Sequence, residues 1–226
     1  MSRTPGRLAA ATAVLVVGSL VGGCAGDVED PDPQPTSSAS EPTEPSESSP
    51  SDEETAYLPV PEGVALTPPG TKLRVGDSAV VAWEPRQDLV GVLDVTVTRL
   101  VRTWFADSFE GWQLDDKTRK STPYFVRVSI TNVGETDVGG RDVPLYAVDP
   151  TDTLIQASSF QAKFEPCPGN GVFPKKFKPG DAKDLCLVYL VPDGGRLTAV
   201  SFRPVQEFDP ITWTGPMEKL AEKKKR

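Results

Sequence analysis

The chain has 226 residues, a formal net charge of −8 and no histidine. Without histidine, a serine–histidine triad and a histidine-ligated zinc site are excluded. The charge is uneven: residues 1–24 hold two arginines and no acid, residues 25–56 hold ten acids and no base, and residues 57–226 therefore sum to zero, which gives no case for nucleic-acid binding.

Arg3 and Arg7 precede an apolar run, Leu8 to Val21, that ends in Gly22-Gly23-Cys24. A basic region, a short apolar region and small residues, in that order, predict a secretory signal peptide over residues 1–23. The run is shorter than the roughly 20 apolar residues a membrane span needs. Val21-Gly22-Gly23-Cys24 resembles the lipobox of bacterial lipoproteins. That resemblance implies diacylglyceryl transfer to the Cys24 sulfur, cleavage before Cys24, and anchoring of a palmitate-type lipoprotein on the extracytoplasmic face of the cell membrane. Two acyl chains meet the requirement for stable anchoring, at about 0.8 kcal/mol per buried methylene. An ordinary secreted protein is the alternative. The separated arginines favour the general secretory route. The Ala- and Val-rich leader and the Pro, Asp and Arg usage point to a high-GC Gram-positive source.

Residues 24–56 follow, with six prolines, ten acids and many serines and threonines. So little apolar surface cannot offset the entropy of ordering, which predicts a disordered, extended linker. It would span roughly 30 Å as a coil and about 100 Å near polyproline extension. Its Ser/Thr/Pro texture fits both O-glycosylation and an unmodified spacer.

From Tyr57 onward the signals are strands. Leu73 to Asp77 leads into Ala79 to Trp83. Val92 to Arg102 alternates, with Leu93, Val95, Val97 and Val101 expected on one face. Tyr124 to Asn132 alternates most clearly, with Tyr124, Val126, Val128 and Ile130 inward and Phe125, Arg127, Ser129 and Thr131 toward water. It reads as the central strand. Leu145 to Val148, Leu154 to Ala157, Leu185 to Val191, Leu197 to Phe202 and Ile211 to Trp213 follow. Pro, Gly and Asp turns separate them, and no long helical period appears. This predicts an all-β sandwich over residues 57–215, with an up-and-down barrel as second choice, and a basic tail over 216–226.

Several segments carry a family resemblance: Val75-Gly76-Asp77, Ile130-Thr131-Asn132-Val133-Gly134, Lys178-Pro179-Gly180-Asp181, Tyr189-Leu190-Val191-Pro192 and Phe202-Arg203-Pro204. Over residues 70–205 the chain resembles the immunoglobulin-like domain of small Gram-positive lipoproteins, a family of unknown function. More remotely it is similar to the secreted mycobacterial immunoprotective antigen fold. The resemblance implies an immunoglobulin-like interaction domain and supplies no catalytic residues. Residues 103–122 and 158–176 depart from the pattern as insertions.

Apart from Cys24, the chain has Cys167 and Cys186. In an exported protein these should pair, closing a loop worth about 3 kcal/mol. A reactive thiol pair is the alternative. No cofactor is implied. Asp115-Asp116 and Asp149-Pro150-Thr151-Asp152 read as turn aspartates, because no calcium-loop spacing is present and no metal site is indicated. A hydrolase of wall polymers would need two converging carboxylates. Trp104, Phe105, Phe109 and Trp112 form the other notable stretch, either capping the core or offering an aromatic platform to an envelope protein or glycan. The reading that results is a membrane-tethered binding module, with the hydrolase as alternative. Its contact surface is the aromatic stretch rather than the basic tail, which has charge but no apolar anchor.

Overall fold

A computed structural model describes residues 56–220. The expected signal peptide, Cys24, the linker through Thr55 and the basic residues from 221 onward lie outside the described residues. Among the described residues no helix is long and apolar enough to cross a membrane.

Among the described residues ten strands form two sheets. In the first, β1 (Lys72–Arg74), β9 (Ile211–Thr214), β8 (Ala199–Phe202), β5 (Tyr146–Val148) and β6 (Leu154–Gln156) lie side by side in that order. The second is built on β3 (Leu89–Arg102), β4 (Thr122–Asn132) and β7 (Ala182–Val191). β4 takes one edge of β3. The other edge is shared in succession by β2 (Ser78–Arg86) and β10 (Met217–Lys219). The inner faces supply one core, in which Trp213, Phe202, Tyr124, Tyr189, Phe173 and Phe177 are buried with the inward valines and leucines of β2, β3, β4 and β7. This is the arrangement of a β-sandwich. Trp213 sits fully buried and donates its indole N–H to the Asp77 carbonyl at 3.0 Å, so the largest core side chain leaves no buried donor unmet.

β4 is the inner strand its alternation predicts, paired with β3 and β7 throughout. Its outward face, however, is not all wet. Phe125 is buried in a second cluster with Val101, Phe109, Phe164, Val188 and the Cys167–Cys186 pair. The two insertions make this cluster. Residues 103–122, with the single-turn helices α1 (Phe105–Ser108) and α2 (Asp116–Arg119), and residues 158–176 close over the outer face of the second sheet. Phe164 is its hub, with ring centroids 4.6 Å from Phe109, 5.1 Å from Phe160, 5.6 Å from Trp112 and 5.8 Å from Phe125.

Two expectations are corrected. Val101 does not share a face with Leu93, Val95 and Val97. A register shift between Val97 and Arg99 inserts one residue, so Leu100 turns into the main core and Val101 into the second cluster. The segment assigned to a tail begins as a strand: β10 pairs in parallel with Leu100 to Arg102. A polar three-residue edge strand has no periodicity to read, and β3 supplies the template.

Candidate functional site

The aromatic stretch does not form an open platform. Phe109 is 3% exposed. Phe105 and Trp112 are half-buried and pack on the same cluster. Ser108 is buried, and its hydroxyl lies 2.6 Å from that of Thr103, which pins α1 to the end of β3. Trp104 alone of the four is exposed, at 38%, with the Arg102 guanidinium 4.3 Å from its ring centroid. The expected surface of Trp104, Phe105, Phe109 and Trp112 therefore divides into one exposed residue and three that serve packing.

Cys167 and Cys186 are brought together as expected, with Cα atoms 5.3 Å apart at disulfide distance. Cys186 stands on the outward face of β7 and Cys167 on the loop above it. Gly169 lets that loop lie flat, because a Cβ there would collide with the Cys186 carbonyl oxygen.

A concave face lies elsewhere, on the outside of the first sheet. Inward residues of these strands, Ala147, Val200, Phe202, Ile211 and Trp213, fill the core, so their neighbours point out. Register sets Gln156, Tyr146, Ser201, Thr212 and Lys72 in one row across the sheet. A parallel row runs through Leu154, Val148 and Ala199 toward Thr214 and Arg74. Small residues occupy the middle strands and larger ones the flanks. The result is a trough of about 390 Å³ over β8 and β9, bounded by the Asp149–Asp152 turn, Arg203 and Pro210.

Its floor carries an anomaly. Ser201 is 0% exposed, yet its hydroxyl has no hydrogen-bond partner. At the rim, Arg203 donates a terminal N–H to the Gln206 carbonyl at 2.7 Å, while its Nε is buried without a partner. Leaving a buried polar group unmet costs about 1–3 kcal/mol. No family model, curated protein or solved structure matches this chain.

The turn aspartates behave as turn residues. Asp149 Oδ1 accepts from the Thr151 amide at 2.8 Å, the Thr151 hydroxyl at 2.7 Å and the Thr153 amide at 3.0 Å. These donors, the Thr151 hydroxyl first, hold its carboxyl below the ordinary range. Asp115 caps α2 by accepting from the Thr118 amide, with the same consequence. Among the described residues no group of three or more Cys, Asp or Glu converges to hold a metal. A second depression, of about 370 Å³, lies between Trp83 and Phe208, but the chain's own Tyr57 and Leu58 line it where they enter the domain.

Sequence reasoning missed the trough. The outward positions of A-V-S-F and I-T-W-T are legible from alternation, and Ser201, Thr212 and Thr214 stand there. That β8 and β9 are neighbours, flanked by β5 and β1, is not.

Proposed function

We propose that this chain is a lipid-anchored, extracytoplasmic binding module whose immunoglobulin-like sandwich takes an envelope glycan in the trough of the first sheet. The anchor is Cys24, and the membrane is its partner through that lipid. The observation that carries the reading is the trough itself, a concave face on which Thr198, Thr212 and Thr214 reach solvent beside Arg203. A ligand rich in hydroxyl groups would bond to these threonines, and the outer guanidinium N–H groups of Arg203 offer donors of fixed direction. Threonine hydroxyls and the apolar stems of Val148 and Leu154 complete a lining suited to a sugar, whose rings present both polar edges and C–H faces.

Hydrolysis of the glycan is the weaker reading. A glycosidase needs one carboxyl held protonated by a raised pKa. Asp115, Asp137, Asp149 and Glu218 all move downward, each because a donor binds the ionised form.

Thr212→Val separates this reading from a purely structural one. Replacing a solvent-reaching hydroxyl by a methyl group of the same shape should leave the melting temperature nearly unchanged, while titration with soluble wall oligosaccharides should show at least a several-fold loss of affinity. Equal affinity in wild type and variant, or no binding to any wall oligosaccharide, would count against the trough.

A further inference from the structure

The chain has two asparagines, Asn132 and Asn170, and only Asn170 is followed by glycine. In an asparagine–glycine pair the backbone nitrogen of the glycine attacks the side-chain amide most easily, because glycine has no Cβ to obstruct the closing ring. A fold blocks this reaction by burying the amide or by engaging the attacking nitrogen. Three places show the contrast. Asn132 is fully buried with its side chain bonded at both ends, and the Val133 amide after it donates to the Val92 carbonyl at 3.0 Å. Asp193 also precedes a glycine, but the Gly194 amide donates to the Lys120 carbonyl at 2.6 Å. Asn170 is exposed, and among the described residues the Gly171 amide donates to nothing.

Two contacts do more than leave the pair free. The Phe160 amide donates to Asn170 Oδ1 at 3.3 Å, and the Ser159 hydroxyl donates to the Asn170 backbone carbonyl at 3.2 Å. The first places a donor where negative charge develops when Cγ is attacked. The second draws electron density out of the Asn170–Gly171 peptide and makes its N–H more acidic. Both donors come from the start of the 158–176 insertion, which folds back to bring Asn170 beside them.

We infer that Asn170-Gly171 is a self-modifying site, at which the folded chain converts its own asparagine to aspartate and isoaspartate. The Gly171 nitrogen bonds to Asn170 Cγ and loses its proton. Nδ2 takes up a proton through solvent, the Cγ–Nδ2 bond breaks, and ammonia leaves. The succinimide that results adds one water. Opening on the Cγ side gives aspartate in the ordinary chain, and opening at the other carbonyl routes the chain through Cγ as isoaspartate. Nothing is oxidised or reduced, and either product adds one negative charge to the insertion. The isoaspartyl product also lengthens the backbone by one methylene between two fixed points. Cys167 is bridged to Cys186, and the Gly171 carbonyl accepts from the Val143 amide at 2.8 Å. Gly171 has little room to move, since even a Cβ there would stand 3.0 Å from that of Ala157. The bonds from Ser159 and Phe160 to Asn170 are therefore the ones that give. The inference stands independently of the trough and of Cys24 lipidation.

The test is peptide mapping by mass spectrometry of the full chain aged in mildly alkaline buffer, with and without guanidinium chloride. Electron-transfer fragmentation separates aspartate from isoaspartate. The expected result is progressive conversion of Asn170 in the folded chain, at a rate within several-fold of that in denaturant. Both products should be present, with Asn132 intact in the folded chain over the same period. An intact Asn170 in the folded chain, while the denatured chain converts, overturns the inference, because the fold then protects the pair. Ser159→Ala removes an exposed hydroxyl and should slow the conversion in the folded chain several-fold. An unchanged rate in that variant overturns the part assigned to Ser159.

Discussion

Asn132 shows how one side chain can hold a corner of the fold. It is fully buried, donates Nδ2 protons to the Thr136 and Phe177 carbonyls at 2.8 Å each, and accepts from the Gly134 amide. Asn132→Ala removes all three bonds, though the Phe177 carbonyl keeps the Val138 amide and the Gly134 amide keeps the Val92 carbonyl, so stability should fall by about 1–2 kcal/mol in a denaturant titration. Asp137 works nearby, accepting from the Phe177 amide and then the Gly139 amide, which hold its carboxyl below the ordinary value of 3.8. A depressed carboxyl contributes stability that is complete above its unfolded value and is lost as pH falls through the folded value. Melting temperature should therefore drop on acidification below about pH 4, and Asp137→Asn should make that drop shallower. Asp115 and Asp149 act in the same direction, so the slope should not vanish. The aromatic residues divide as their burial does. Phe109→Ala empties the second cluster and should cost about 3–5 kcal/mol, whereas Trp104→Ala should shift the melt by only a few tenths.

The second cluster matters because it makes β4 buried on both sides over part of its length. Phe125 faces out beneath Phe164 while Tyr124 and Val126 face the main core. The Cys167–Cys186 bridge closes the insertion over this face, and its chain-entropy contribution is about 3 kcal/mol. Reduction should therefore raise hydrogen exchange first in residues 158–176 and 103–122, ahead of β3 and β4. Uniform exposure of all strands on reduction would show that the cluster is not a separate unit. β10 is a different kind of element, a polar strand held by backbone pairing to Leu100 to Arg102 and by the Arg99–Glu218 ion pair. Both side chains of that pair are about half exposed and screened by solvent, so Arg99→Ala should leave the melting temperature nearly unchanged.

At the scale of the whole molecule the two sheets differ on their outer faces. The outer face of the first sheet holds the trough, and the outer face of the second is covered by the two insertions. For the N-terminal part, metabolic labelling with a palmitate analogue checks the anchor: label should be present in the wild type and absent in Cys24→Ser. Equal label in both would remove the lipoprotein reading while leaving the trough open to its own test.

Short apolar runs between turns, with clear alternation in β3 and β4, were enough to read seven or eight strands from local sequence, since a half-buried sheet imposes period two on the longer strands that form it. Cysteine parity was enough to pair Cys167 with Cys186. Neither signal carries information about which strands are neighbours. The trough exists because Ser201 and Thr212 are brought beside each other between Tyr146 and Lys72, residues far apart in the chain. The misread face of Val101 has the same origin, since the bulge at Thr98 appears only where β3 meets β4. Whether Phe109 caps the core or faces a partner was not legible, because its burial is supplied by Phe160 and Phe164, some fifty residues on in sequence. Composition and periodicity report what a segment does to its own backbone, while burial and polar satisfaction are set by whatever packs against it, and here that was decided in three dimensions.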